Sequence, residues 1–174
     1  MCVGAFALKP LFAQLGLSLC LELTVGSALA NETIDGKVVG VHDGDTLTVL
    51  TPGNTEVKVR LEGIDAPETK QPFGEASKQS LSAMTFQKQV RLVCTKTDRF
   101  KRKVCRVFQD GRDVNRAQIE RGMAWHFKRY ADEQPAAERS GDDQAETTAR
   151  QGKRGVFSQP DAVPPWEFRA SKRD

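Results

Sequence analysis

No strand pattern in this chain alternates regularly with helix patterns, and no glycine-rich loop joins a strand to a helix, which removes the parallel, doubly wound folds. Strands come first, with helices interleaved late. Residues 37–50 and 56–61 are rich in β-branched side chains and flank Thr51-Pro52-Gly53-Asn54, a turn composition, so they read as a hairpin. Val57, Val59 and Leu61 alternate with Lys58, Arg60 and Glu62, placing the apolar set toward a core and Arg60 on the other face. Residues 89–95 and 104–109 read as a second strand pair about a basic connection. Helices are expected over 73–87, with Ala76, Leu81, Met84 and Thr85 near helical spacing, over 113–121 before Gly122, and over 135–151 before Gly152. The pattern predicts an α+β fold, mainly β: an antiparallel five-stranded barrel of the oligonucleotide-binding type (OB-fold) with three packed helices.

The 174 residues suit one core, and a net charge of +3 is too small to identify a polyanion partner by itself. The first thirty residues stand apart. Residues 11–25 are mostly apolar, Lys9 is the one cation before them, and Ala28-Leu29-Ala30 offers a small-x-small cleavage site. This predicts a signal peptide over 1–30, the OB-fold domain over 31–158 and an extended tail over 159–174 packed on it. A retained membrane anchor fits less well, because the apolar run is shorter than the roughly 20 residues of a spanning helix and Glu22 interrupts it. Leu17-Ser18-Leu19-Cys20 departs from a lipoprotein box at the bulky Leu19. The expected location is secreted or periplasmic, with no stable membrane association after cleavage.

Cleavage would remove Cys2 and Cys20 and leave Cys94 and Cys105, an even pair in a compartment that permits a disulfide. No C-x-x-C or Cys/His cluster with zinc spacing is present. His42 and His126 are isolated from each other and read as surface or packing residues.

The chemistry concentrates in two acidic clusters. Asp43-Gly44-Asp45-Thr46 interrupts a strand pattern, where adjacent carboxylates and a glycine are unexpected in a segment that only fills a sheet. A bulge or tight turn with solvated carboxylates is the plain alternative. Arg60-Leu61-Glu62-Gly63-Ile64-Asp65-Ala66-Pro67-Glu68 brings a strand to a glycine and then delivers two carboxylates around a proline. Pro67 disfavours helical geometry at Ala66, so the Ala66 carbonyl can be fixed outward as a neutral oxygen ligand. Carboxylates, a carbonyl and waters form a hard-oxygen set of the kind Ca²⁺ accepts, whereas Asp-x-x-Glu alone reads equally as helix capping.

Together with Asp98-Arg99-Phe100-x-Arg102 and Gly122-Met123-Ala124-Trp125, these clusters resemble, in order and spacing, the staphylococcal nuclease (thermonuclease) family. The resemblance covers about residues 34–157, and Pro164-Pro165-Trp166-Glu167-Phe168-Arg169 looks like the tail of many exported bacterial members. It implies an enzyme that hydrolyses phosphodiester bonds of DNA and RNA with Ca²⁺, leaving 3′-phosphates. Asp45 and Asp65 match the metal carboxylates, Ala66 the carbonyl ligand, Glu68 the proposed general base, and Arg60 and Arg102 the two phosphate-binding arginines. In the family register Cys94 and Cys105 lie on neighbouring antiparallel strands and are the disulfide candidate. A monomer is expected.

Physical chemistry agrees with those assignments. A diester phosphate is already anionic, so the site must neutralise charge that grows as the phosphorane forms, and Arg offers bidentate donors that stay charged at neutral pH. A free carboxylate with a pKa near 4.3 is a weak base, so Glu68 either needs help or orients the water. Lys96, Arg99, Lys101, Arg102, Lys103 and Arg106 crowd around Phe100 in a stretch suited to phosphate attraction and base stacking. Phe100 stands where the family usually has Tyr, and Lys101 where it usually has Gly. Lys128 and Tyr130 lie where the best-known member has two tyrosines, so they join Arg99, Phe100 and Lys101 as expected substrate contacts. Met123, Trp125 and Phe127 read as core, and Trp166 as a pin for the tail. The alternative from another class is a non-catalytic nucleic-acid-binding module of the same fold, which retention of Asp45, Asp65, Glu68, Arg60 and Arg102 disfavours.

Overall fold

The computed structural model of the protein describes residue 1 and residues 31–172. The expected signal peptide lies outside the described residues. Strands β1 (Glu32–Val41), β2 (Thr46–Leu50), β3 (Glu56–Leu61), β5 (Gln89–Thr97) and β6 (Lys103–Gln109) close into a barrel. Four of its pairings are antiparallel; the fifth, between β3 and β6, is parallel and closes the ring, with Leu61 opposite Cys105. The barrel is therefore mixed where an all-antiparallel one was expected. Short strands β4 (Ile64–Asp65) and β8 (Trp125–His126) pair beneath it, and β7 (Arg112–Asp113) extends β6.

Alternation along the strands sets the core. Val38, Leu47, Val49, Val59, Leu92 and Val107 are fully buried, each contributing roughly 1.5–3 kcal/mol by leaving water. Residues 37–50, expected as one strand, are the end of β1 and all of β2, broken at the Asp43-Gly44-Asp45 bend. The β-branched run gives no hint of that break; the Gly and the two carboxylates do. Cys94 and Cys105 face each other in the β5–β6 register and their sulfurs are bonded.

Helix α1 (Gly74–Thr85) buries Ser77, Leu81, Met84 and Thr85 against the barrel, with Ser77 rather than Ala76 on the buried face. In α2 (Val114–Glu120) the Asp113 side chain caps the first turn by accepting the Arg116 N–H at 3.0 Å, and Gly122 ends the segment at φ +67°. Asn115 on α2 is fully buried and ties the barrel together, accepting from Val107 N and donating to the carbonyls of Glu62 and Cys105. Helix α3 (Ala136–Gln151) packs on α2.

A fourth helix, α4 (Pro165–Ala170), stands where extended chain was expected from the prolines. Pro165 occupies the first helical turn, where its missing N–H costs no hydrogen bond. Trp166 does pin this tail, lying 6.4 Å from the Trp125 ring centroid and 5.5 Å from that of Phe127. Trp125 is buried and also meets Phe157 edge-on at 5.7 Å.

Candidate active site

The bend between β1 and β2 exists because Gly44 sits against α1 and the β4 turn: a Cβ there would collide with Ser77 and Ala66. Asp45 N–H donates to Asp43 Oδ1 at 3.0 Å, which tightens the bend and turns Asp45 inward. Asp45 Oδ2 then accepts the Ala66 N–H at 2.8 Å, and the Asp45 carbonyl accepts the Leu61 N–H at 2.8 Å. The first acidic cluster is thus stitched to the second across 21 residues of sequence.

Gly63 adopts φ +72°, a conformation that returns the chain after β3 so that β4 delivers Asp65 beneath Arg60. Arg60 bridges the clusters, Nη2 donating to Asp65 Oδ1 at 3.0 Å and Nη1 in ion-pair contact with Asp45 Oδ2. The Arg60 guanidinium thus lies along the cleft lining, held between two carboxylates.

Burial governs the electrostatics. Desolvation, followed by repulsion from Asp45, pushes the Asp43 carboxyl up to about 6. Desolvation also raises Asp65, against the pull of its Arg169 and Arg60 partners. Burial draws the Arg60 guanidinium downward, but Asp45, Asp65 and Asp43 outweigh it and hold the group above its ordinary value. Around Arg60 the oxygens on offer are those of carboxylates, which are hard ligands. Asp45, Asp65 and the Ala66 carbonyl therefore fit a hard divalent cation, although among the described residues no three His, Cys, Asp or Glu groups form a ready cage.

These groups line one cleft of about 800 Å³ with Glu68, Arg99, Phe100, Arg102 and Tyr130. At the β5–β6 tip, Asp98 organises the turn: its Oδ1 accepts the N–H groups of Phe100 at 2.8 Å and Arg102 at 2.9 Å. Its Oδ2 takes Arg102 Nε at 2.8 Å, which aims that guanidinium. Although partial burial pushes the other way, these bonds hold Asp98 below the usual carboxylate range. Lys101 takes the left-handed conformation, φ +62°, which favours Gly. Phe100 is 62% exposed with the guanidiniums of Arg99 and Arg102 over its ring at 4.8 and 5.4 Å.

Several expected contacts are redistributed. Arg106 leaves the basic cluster altogether: it is buried, paired with Asp113, Glu138 and Asp142, and joins α3 to the barrel. It shares the outward face of β6 with Val104, which lines the cleft, but lies two residues farther along the strand, where α3 covers it. Lys96 pairs with Glu133, and Lys103 with Glu32 at 2.5 Å. Lys101 is at the tip and does not line the cleft. Lys128 turns to α3 and bonds Asp143 at 2.9 Å, so Arg129 and Tyr130 line the cleft instead. His126 is buried between Asp143 and Gln134, at 3.0 and 3.1 Å, a packing role.

Arg169 enters the site from α4. Its Nη2 donates to Asp65 Oδ2 at 2.7 Å, and its Nη1 to Asp65 Oδ1 at 3.2 Å and Glu68 Oε1 at 2.8 Å. Neither Asp98 nor Arg169 was given a role from sequence, although both stand inside the quoted motifs. Asp98 carried a usable signal, a turn-forming carboxylate four residues before an arginine.

The family model described as Staphylococcal nuclease homologue matches residues 58–159. A Haemophilus influenzae protein described as an uncharacterized endonuclease is 46% identical over 114 residues, which are 66% of this chain and 64% of that protein. An Escherichia coli protein, ParB, is 35% identical over 91% of this chain and 92% of its own length. A micrococcal nuclease of Shigella flexneri is 32% identical over 80% of this chain and 82% of its own.

Proposed function

Since the chain belongs to the staphylococcal nuclease family, we propose that it is an endonuclease that hydrolyses the phosphodiester bonds of DNA and RNA with Ca²⁺. One observation carries this reading: Asp45 from the β1–β2 bend, Arg60 from β3, Asp65 from β4, Glu68 from the loop after it and Arg102 from the β5–β6 tip line the same cleft. Asp45, Asp65 and the Ala66 carbonyl would hold the ion, which supplies charge neutralisation at the phosphate.

Arg60 would donate to one non-bridging oxygen, and Arg102, aimed by Asp98, would take another. Both bonds strengthen as negative charge accumulates on those oxygens, so they lower the barrier more than they tighten the ground state. Glu68 would accept or orient the proton of the attacking water as its oxygen bonds to phosphorus. The P–O5′ bond then breaks, its electron pair stays on the leaving oxygen, and that oxygen is protonated from solvent. The products are a 3′-phosphate and a 5′-hydroxyl. Arg99, Phe100, Arg129 and Tyr130 would hold the flanking nucleotide by charge and stacking.

The decisive experiment incubates the purified protein with labelled single-stranded DNA and RNA, in Ca²⁺ or in chelator, and maps product ends. Ca²⁺-dependent cleavage with 3′-phosphate ends supports the reading. Tight binding without cleavage under both conditions would establish the alternative, a binding module.

Export of the chain, with cleavage after Ala30 and action in the periplasm or medium as a monomer, belongs to the same proposal. It rests on the apolar leader and Ala28-Leu29-Ala30. Mass spectrometry should find Asn31 at the new N-terminus of protein recovered outside the cytoplasm, and light scattering should give the mass of one chain. Recovery of only full-length chain in the cytoplasm would refute export.

A further inference from the structure

We infer that Arg169 is a resident cation of the carboxylate site, one that a divalent ion must displace, so that the C-terminal helix and the metal compete for Asp65. The inference rests on the reading of Asp65 as a metal carboxylate. Asp65 is 1% exposed, while the Arg169 side chain is 42% exposed and caps it from the solvent side. The guanidinium takes both Asp65 oxygens and reaches Glu68 as well, a bidentate geometry that concentrates one positive charge on two anions.

Charge and crowding at Asp65 set the two cations against each other. Oδ1 of Asp65 already accepts from Arg60, and Oδ2 is occupied by Arg169 at 2.7 Å. A Ca²⁺–oxygen bond of about 2.3–2.6 Å to Asp65 would set a dication within a few ångströms of that guanidinium, at a carboxylate whose Oδ1 already accepts from Arg60 and Arg169 and whose Oδ2 accepts from Arg169. Glu68 is held by the same guanidinium, so departure of Arg169 also frees the group expected to act on water.

The helix that carries Arg169 has its own anchors. Six residues are too few for a stable isolated helix. Trp166 packs on Trp125 and Phe127, Pro165 is buried, and Gln71 Nε2 donates to the Val163 carbonyl at 2.5 Å. Removal of the Arg169 side chain thus leaves α4 docked, and a change in metal affinity reports the guanidinium itself. A neighbouring cavity of about 510 Å³, lined by Lys70, Arg99, Phe168 and Lys172, gives the displaced side chain space to move.

Isothermal titration of the full chain with Ca²⁺ tests this, using wild type, Arg169→Ala, Arg169→Gln, Arg169→Lys and Lys172→Ala, with the thermal midpoint of each as a fold check. Arg169→Ala and Arg169→Gln should bind Ca²⁺ about tenfold more tightly or better, Arg169→Lys should fall between, and Lys172→Ala should stay within about twofold of wild type. Tighter binding in Lys172→Ala equal to that in Arg169→Ala would reduce the effect to general charge and overturn the inference. Unchanged or weaker affinity in both neutral Arg169 variants would overturn it while leaving the metal reading intact. Absence of Ca²⁺ binding in every variant would overturn both.

Discussion

The Asp98 carboxylate grips Arg102 at both ends: Oδ1 accepts its backbone N–H at 2.9 Å and Oδ2 accepts its Nε at 2.8 Å. One side chain therefore fixes the turn and the direction of a proposed phosphate-binding guanidinium. Asp98→Ala should lower kcat by about tenfold or more with little change in KM, since misdirection of a charge-stabilising donor is felt chiefly in the transition state. Steady-state kinetics on an oligonucleotide substrate checks it, and a pure KM effect would contradict the positioning role.

Arg60 and Arg102 differ in what else they do. Arg102→Ala should cost about 10²–10³ in kcat with the fold intact. Arg60→Ala should cost at least as much activity, and also stability, because it removes the cation paired with buried Asp45 and one of the two paired with Asp65. What separates the two arginines is the burial of their partners, since the Asp45 and Asp65 side chains are 8% and 1% exposed and that of Asp98 is 18% exposed. Urea titration in chelator should show a lower midpoint for Arg60→Ala only.

Burial holds Glu62 above the usual carboxylate range, although Thr95 Oγ1 donates to it at 3.0 Å. A carboxyl with a raised folded-state pKa favours the native state while protonated, and that contribution is lost as pH rises through the folded value. Glu62→Gln should therefore raise Tm by about 1–3 °C at pH 8, with the gain vanishing as pH falls to about 4. Thermal melts across that range decide the matter; a gain that grew toward acid would have the wrong sign.

Lys101 pays for a left-handed backbone that costs a non-glycine residue roughly 1–2 kcal/mol. Lys101→Gly should relieve part of this, raising stability by up to about 1 kcal/mol after the entropy of the glycine in the unfolded chain is subtracted. It should also flatten the salt dependence of DNA binding by at most about one counterion. Equilibrium unfolding and binding titrations over a salt series measure the two effects separately.

The Cys94–Cys105 bond closes a loop of sequence separation 11 that includes the Asp98–Arg102 turn. Reduction, or the double change to serine, should cost about 3 kcal/mol on the chain-entropy account. Counting thiols in denaturant without reductant should find neither cysteine free.

Much of the fold is legible along the chain because the signals are local. Alternation at Val57, Val59 and Leu61, the turn at residues 51–54 and the Asp113 cap each act within a few residues, so sequence determined the hairpin and the start of α2. The parallel β3–β6 closure carries no such mark, since it joins residues about 45 apart through backbone groups that every residue possesses. At the site, the resemblance to the staphylococcal nuclease family, carried by four separated motifs, pointed to Asp45, Arg60, Asp65, Glu68 and Arg102, all of which line the cleft. Tertiary structure decided which cations face it. Arg102 and Arg106 are four residues apart with the same chemistry, yet one points into the cleft and the other is buried among Asp113, Glu138 and Asp142. Arg169 reaches Asp65 across 104 residues only because Trp166 docks its helix there. A charge is written in the sequence, but its partners and its exposure to water depend on which distant segments pack beside it, and those determine its energy.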